Sequence, residues 1–227
     1  MLKLLSILII NIYLYATPAI TPIPSSVEFD KQKALVGKNI FFGKNIPENT
    51  KMCHTCHKPK SGMSVNKVIH LTVKGKLIPL SSISLYNRAF NRYYTYEGAT
   101  KSLYDIVHKS LHNFEEMKVS HNAFMMSIKS SEYYQQKFRQ IYKSKLITSE
   151  MVSESVTEFI KALITPNSKF DKYLKGEIKL SSNEYKGYLT FKRLGCIACH
   201  NGINVGGNSF QKLSRIESIV IINNFKT

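Results

Sequence analysis

All four cysteines of the 227-residue chain fall in two copies of one five-residue pattern. The first reads Cys53-His54-Thr55-Cys56-His57 and the second Cys196-Ile197-Ala198-Cys199-His200. Each sets two thiols ahead of a histidine with the spacing used to attach a c-type haem: the thiols form thioethers with the vinyl groups, and the adjacent imidazole ligates the iron. Zinc held by four thiolates would bring the two pairs closer in sequence and gives no reason for a histidine after each. A thioredoxin-like motif sits in a βαβ pattern, which this chain lacks. The implied cofactors are two covalent haem c groups on Cys53/Cys56 and Cys196/Cys199, with His57 and His200 as iron ligands. Such a chain handles electrons.

Helices are expected to position both patterns. Lys31 to Gly43, with Leu35, Ile40, Phe41 and Phe42, reads as a short helix leading to the first. From Lys58 to about Ser82 no helical period is present, and an irregular loop over a haem is expected. Apolar residues recur at helical spacing over Thr100–His112, Ser131–Lys145 and Glu150–Ile164, and Pro166 stops the last. Ser181 and Glu184 form the spacing of a capping box, opening a helix that runs through Tyr185, Tyr188 and Leu189 to the second pattern. The expected fold is mostly α: two cytochrome c-like haem domains, residues 22–170 and 171–227, the second incomplete because little chain follows His200.

The 32 Lys+Arg against 15 Asp+Glu give a formal charge of +17. The lysines are scattered rather than gathered into a stripe, which argues against nucleic acid and leaves an anionic membrane surface or an acidic redox partner. Lys3, the apolar run Leu4–Leu14, and the small residues Ala16 and Ala19 read as an export signal over residues 1–19, with an uncleaved anchor as the alternative. The run is shorter than the ~20 residues of a membrane span. Export agrees with haem attachment, which in bacteria takes place outside the cytoplasm, so the expected location is the periplasm.

Further segments carry a resemblance. They are Gly37-Lys38-Asn39-Ile40-Phe41-Phe42 before the first pattern and Lys58-Pro59 after it; Asn87-Arg88-Ala89-Phe90-Asn91, Glu97-Gly98, Ser102-Leu103 and Asn113-x-x-Glu116-Met117 between the patterns; and Leu194-Gly195, Asn201-Gly202 and Val205-Gly206-Gly207 around the second. In these, over about residues 30–212, the chain resembles the bacterial dihaem cytochrome c peroxidases. The resemblance implies reduction of hydrogen peroxide to water with electrons from a small periplasmic donor such as a cytochrome c. It makes the His57 haem peroxidatic and the His200 haem the point of electron entry. It also assigns Glu116 as the acid/base that moves a proton between the peroxide oxygens, and His70 as a far-side iron ligand displaced on activation. An ordinary helix carboxylate and an exposed loop histidine are the plainer readings of those two residues. Calcium between the domains and a homodimer are further implications.

The chain departs from that pattern. It has no Trp, and Tyr96 stands at the family's inter-haem Trp. Ile106 replaces a glutamine, and the calcium-site asparagine falls near Ile78-Pro79. The family's second haem takes a methionine from beyond its attachment pattern, whereas Met1, Met52, Met63, Met117, Met125, Met126 and Met151 all precede Cys196. A product shortened at its C-terminus is therefore expected. A dihaem electron-transfer cytochrome without peroxidase activity, or an inactive truncated remnant, is the alternative function. His108 and His112, four apart, read as a polar helix face rather than a metal pair.

Overall fold

The computed structural model describes residues 18–47, 52–65, 68–73, 76–95, 98, 100 and 102–209. Helix α1 (Lys31–Phe41) begins where the Asp30 carboxylate accepts from the Gln32 and Lys33 N–H groups. After the first attachment turn come β1 (Val68–Val73) and β2 (Lys76–Ser81), which pair antiparallel with His70 opposite Pro79. The helices α2 (Leu103–His112), α3 (Phe114–Met117), α4 (His121–Lys129), α5 (Glu132–Tyr142) and α6 (Ser149–Lys161) follow. Then α7 (Lys169–Leu174) and α8 (Ser182–Arg193) lead to the second turn. The fold is mostly helical, as expected.

The hairpin corrects one expectation: the stretch expected as an irregular loop carries paired strands, and His70 lies on β1 rather than in a loop. Val68-Ile69-His70-Leu71-Thr72-Val73 is rich in β-branched residues, which favour a strand. The helix at Thr100–His112 starts later, at Leu103, because the Ser102 side chain caps it by accepting from the Asp105 N–H.

Helix α6 is the hub. Val152, Ser153, Ser155, Val156, Thr157, Glu158, Phe159 and Ile160 are all buried, and α1 and α2 both lie against it. Its polar residues are satisfied within the fold: Thr157 Oγ1 donates to Ser153 O (2.7 Å), and Ser153 Oγ donates to Ser149 O (2.8 Å). Glu158 accepts from the Asp30 N–H (2.7 Å) and from Lys161 Nζ (2.6 Å), tying the start of α1 to the end of α6. Phe41, Phe124, Phe138 and Tyr134 are fully buried around this hub, and each such side chain contributes about 1.5–3 kcal/mol. Helices α1 and α6 approach so closely that a Cβ on Gly37 would fall 1.9 Å from the Ser155 carbonyl oxygen.

The first described residues lie against the second attachment loop and α7. Ala19 O accepts from the Gly202 N–H (2.7 Å), Ile20 bridges to Gly202, and the Ile23 N–H donates to Asp171 Oδ1 (2.8 Å). The expected leader lies outside the described residues apart from Pro18 and Ala19. Among the described residues no helix is long and apolar enough to cross a membrane. Burial would raise the Asp171 carboxyl, but hydrogen bonds from Ile23 and Ser168 outweigh it and hold the group below its ordinary range.

Gly37→Ala is expected to destabilise the fold by at least about 2 kcal/mol, because helix backbone stands in the way of the new methyl; a lowered urea midpoint at unchanged m-value checks this. Asp171→Asn is expected to lower the melting temperature at neutral pH. The carboxylate's contribution is present above its unfolded pKa and is lost as pH falls through the lower folded value. The gap between variant and wild type should therefore narrow below about pH 4, as melts at pH 7 and pH 3 would read.

Candidate haem centres

Both attachment patterns fold into the same turn. Cys53–Thr55 and Cys196–Ala198 are single 3₁₀ turns. In the first, Cys53 O accepts from the N–H groups of Cys56 (3.2 Å) and His57 (2.9 Å); in the second, Cys196 O accepts from Cys199 (3.3 Å) and His200 (2.9 Å). The turn brings the two cysteines and the histidine together in a tight loop, and none of the four cysteines is in a disulfide.

Each imidazole is then held from behind. His57 Nδ1 lies 3.0 Å from Met63 O and His200 Nδ1 lies 3.3 Å from Val205 O. In both loops the residue supplying that carbonyl has a left-handed backbone, Met63 at φ 56° and Val205 at φ 50°, although neither is glycine. A carbonyl on Nδ1 selects the tautomer with that nitrogen protonated and leaves Nε2 as the metal donor. An aromatic ring from the preceding helix stands beside each imidazole, Phe41 at 6.4 Å and Phe191 at 6.2 Å between centroids. Burial holds the His57 imidazole below its usual range, against the pull of the Met63 and Ile83 carbonyls, so it is neutral as a metal ligand must be. Burial also pushes the Cys53 thiol up to about 12, keeping the S–H that adds across a vinyl group. These donors fit a haem iron held through two thioethers.

The two centres differ in cover. The first lies against the core, with Met52, Met63, Phe41 and Met117 buried around it. At the second, His200 and Cys199 are exposed, and α8 buries none of its residues among those described.

Of the residues expected at the first centre, Glu116 is brought there from sixty positions away: its carboxylate acts electrostatically on both Cys53 and His57. Asn113 Nδ2 donates to Glu116 Oε1 (2.9 Å) and orients it. Helix α3, which carries Glu116, also lies against β1, the strand that carries His70. Tyr96 lies outside the described residues, and Ile78 and Pro79 are on β2. Among the described residues no group of three or more His, Cys, Asp or Glu converges on a metal position. His112 stacks on His121 at 3.7 Å and lies tilted against His108 at 4.3 Å, with His108 Nδ1 2.9 Å from Ser153 Oγ. Ser82, which nothing local marks in the sequence, donates its hydroxyl to Cys56 O (2.8 Å) and accepts from the Val65 N–H (2.9 Å). Arg88, in one of the segments that carry the resemblance, is buried and its guanidinium donates to Tyr94 O (2.7 Å).

A mostly helical chain with two equivalent c-type attachment turns defines the class: a dihaem cytochrome. The model of the di-haem cytochrome c peroxidase family matches residues 31–179, and the chain belongs to that family. It is 30% identical to the cytochrome c551 peroxidase of Nitrosomonas europaea over 87% of this chain and 60% of the relative. It is also 30% identical to the cytochrome c551 peroxidase of Pseudomonas aeruginosa, over 86% and 59%. The cytochrome c peroxidase Ccp of Escherichia coli is 29% identical, over 86% of this chain and 42% of that protein. The chain thus spans about 40–60% of the length of these relatives. A crystal structure of a MauG-like protein associated with microbial copper homeostasis superposes with a TM-score of 0.68 at 18% identity, covering 88% of this chain and 63% of that one, which shows the shared fold.

Protein made in cells competent in covalent haem ligation is expected to carry two haem masses. Changing Cys196→Ala together with Cys199→Ala should remove one and leave the other; intact-mass spectrometry checks both.

Proposed function

We propose that the chain is a periplasmic dihaem peroxidase that reduces hydrogen peroxide to water, two electrons and two protons being consumed for each pair of waters formed. The observation that carries this is a pair of equivalent attachment turns, each with its imidazole held by a loop carbonyl, with the charge of the Asn113-bound Glu116 reaching the first. When bound, the two haems supply the one-electron couples and an iron to which a peroxide oxygen binds. The residues supply the rest. His57, its Nδ1 held by Met63 O, presents Nε2 to the iron from one fixed direction. Glu116, its carboxylate fixed by the Asn113 amide, would carry a proton between the two peroxide oxygens, so that with the two electrons the haems would supply and two protons from solvent the O–O bond breaks and two waters form.

In this reading residues 22–170 carry the peroxidatic haem and residues 171–227 the electron-transfer haem. His70 is the far-side ligand that leaves on activation; its place on a strand beside α3 supports this, since a small slide of the hairpin moves it as a unit. The exposed setting of His200 suits entry of electrons from a small periplasmic donor such as a cytochrome c. The basic surface, +17 over the chain, favours an acidic face on that donor. A homodimer and a bound calcium ion complete the reading by resemblance to the family.

The test is peroxide turnover by pre-reduced holoprotein. Glu116→Gln is expected to cut kcat by at least about a hundredfold while both haems stay attached. A wild-type holoprotein with no turnover, and both irons six-coordinate after partial reduction, would instead make the chain an electron carrier.

A further inference from the structure

One short segment touches both attachment loops. At its start, Ser82 Oγ donates to the Cys56 carbonyl inside the first turn and accepts from the Val65 N–H. At its end, the Arg92 N–H donates to Gly207 O (3.1 Å) and Asn91 Oδ1 accepts from Asn204 Nδ2 (2.6 Å). Asn204 and Gly207 flank Val205, whose carbonyl holds His200.

The middle of this segment is not slack. Asn87, at φ 60°, donates its N–H to Leu163 O (2.8 Å), and its side chain exchanges two bonds of 2.8 Å with Thr165, fastening it to the chain just past α6. Residues Arg88–Phe90 form a 3₁₀ turn, with Arg88 buried and bonded to Tyr94 O. The segment is a rigid spacer from the first turn, across the end of the hub helix, to the second loop.

The second loop needs such a hold. Val205 is a β-branched residue at φ 50°, followed by Gly206 at φ 148° and Gly207 at φ 72°. A non-glycine residue in the left-handed region costs about 1–3 kcal/mol and persists only where neighbours over-determine it. Its neighbours here are the two bonds from Asn91 and Arg92. Space is closed as well: a Cβ on Gly207 would fall 2.7 Å from Asn91 Nδ2.

We propose that residues 82–92 are the spacer that sets the second haem relative to the first, and that Asn91 is its positioning residue at the second loop. Asn91 touches neither iron ligand; it acts through Asn204 and the Val205 carbonyl. This rests on the two-haem reading of the site but not on peroxide chemistry, so it survives a holoprotein that turns over no peroxide.

The experiment measures the separation of the two ferric irons in holoprotein by pulsed EPR, together with the rate of electron exchange between the haems after one-electron photoreduction. Asn91→Ala should broaden the distribution of separations and slow exchange by at least about fivefold. Asn91→Asp keeps the acceptor for Asn204 and should stay close to wild type on both readouts. Ser82→Ala, at the opposite end, should broaden the same distribution. A role in stability alone would lower the melting temperature of Asn91→Ala without changing the separation. That result, or an equal defect in Asn91→Asp, would overturn the proposal.

Discussion

The contact on which the rest depends is a backbone carbonyl on the back of an imidazole. An axial histidine free to turn about its side-chain bonds offers the metal either nitrogen from many directions. A carbonyl on Nδ1 removes that freedom, and here it does so twice, through Met63 and Val205. Each carbonyl is aimed by a left-handed residue that has a side chain, a costly choice at two sites of one molecule. The burial of Met63 in the core helps to offset that cost at the first site, whereas Val205 relies on hydrogen bonds to neighbouring residues.

From this follows an asymmetry between the centres. The first is walled by α1 and α6, which meet closely because Gly37 lets two backbones touch, and by the end of α3. Charges act strongly in such a place because water is not there to screen them, so one carboxylate near His57 and Cys53 matters. The second centre stands at the end of a helix that buries none of its described residues. The same attachment turn is therefore set once against a buried wall and once at an exposed helix end.

Where the code was local, the sequence was legible. Ser181 and Glu184 close a capping box as expected, because the motif involves only neighbours in the chain. Its twin at Ser168 and Asp171 starts α7 in the same way and went unread, since aspartate at the third position is a weaker signal than glutamate. The strands have no helical period; the apolar-polar alternation from Ile69 to Val73 on β1 is their mark in the sequence. The short helix α4 was missed too, although the Ser120 side chain caps it by accepting from the Ala123 N–H.

Taken alone, the order of residues determined the two Cys-x-x-Cys-His patterns at Cys53–His57 and Cys196–His200, the dihaem cytochrome class that they point to, and the helices that lead to them. All of that chemistry is written within five residues and needs no partner from elsewhere in the chain. Only the tertiary structure decided which carbonyl grips each imidazole, that the charge of Glu116 reaches His57 and Cys53, and that one segment from Ser82 to Arg92 reaches both loops. Those relations depend on how α1, α3 and α6 pack, and packing joins residues whose separation along the chain carries no record of their nearness in space.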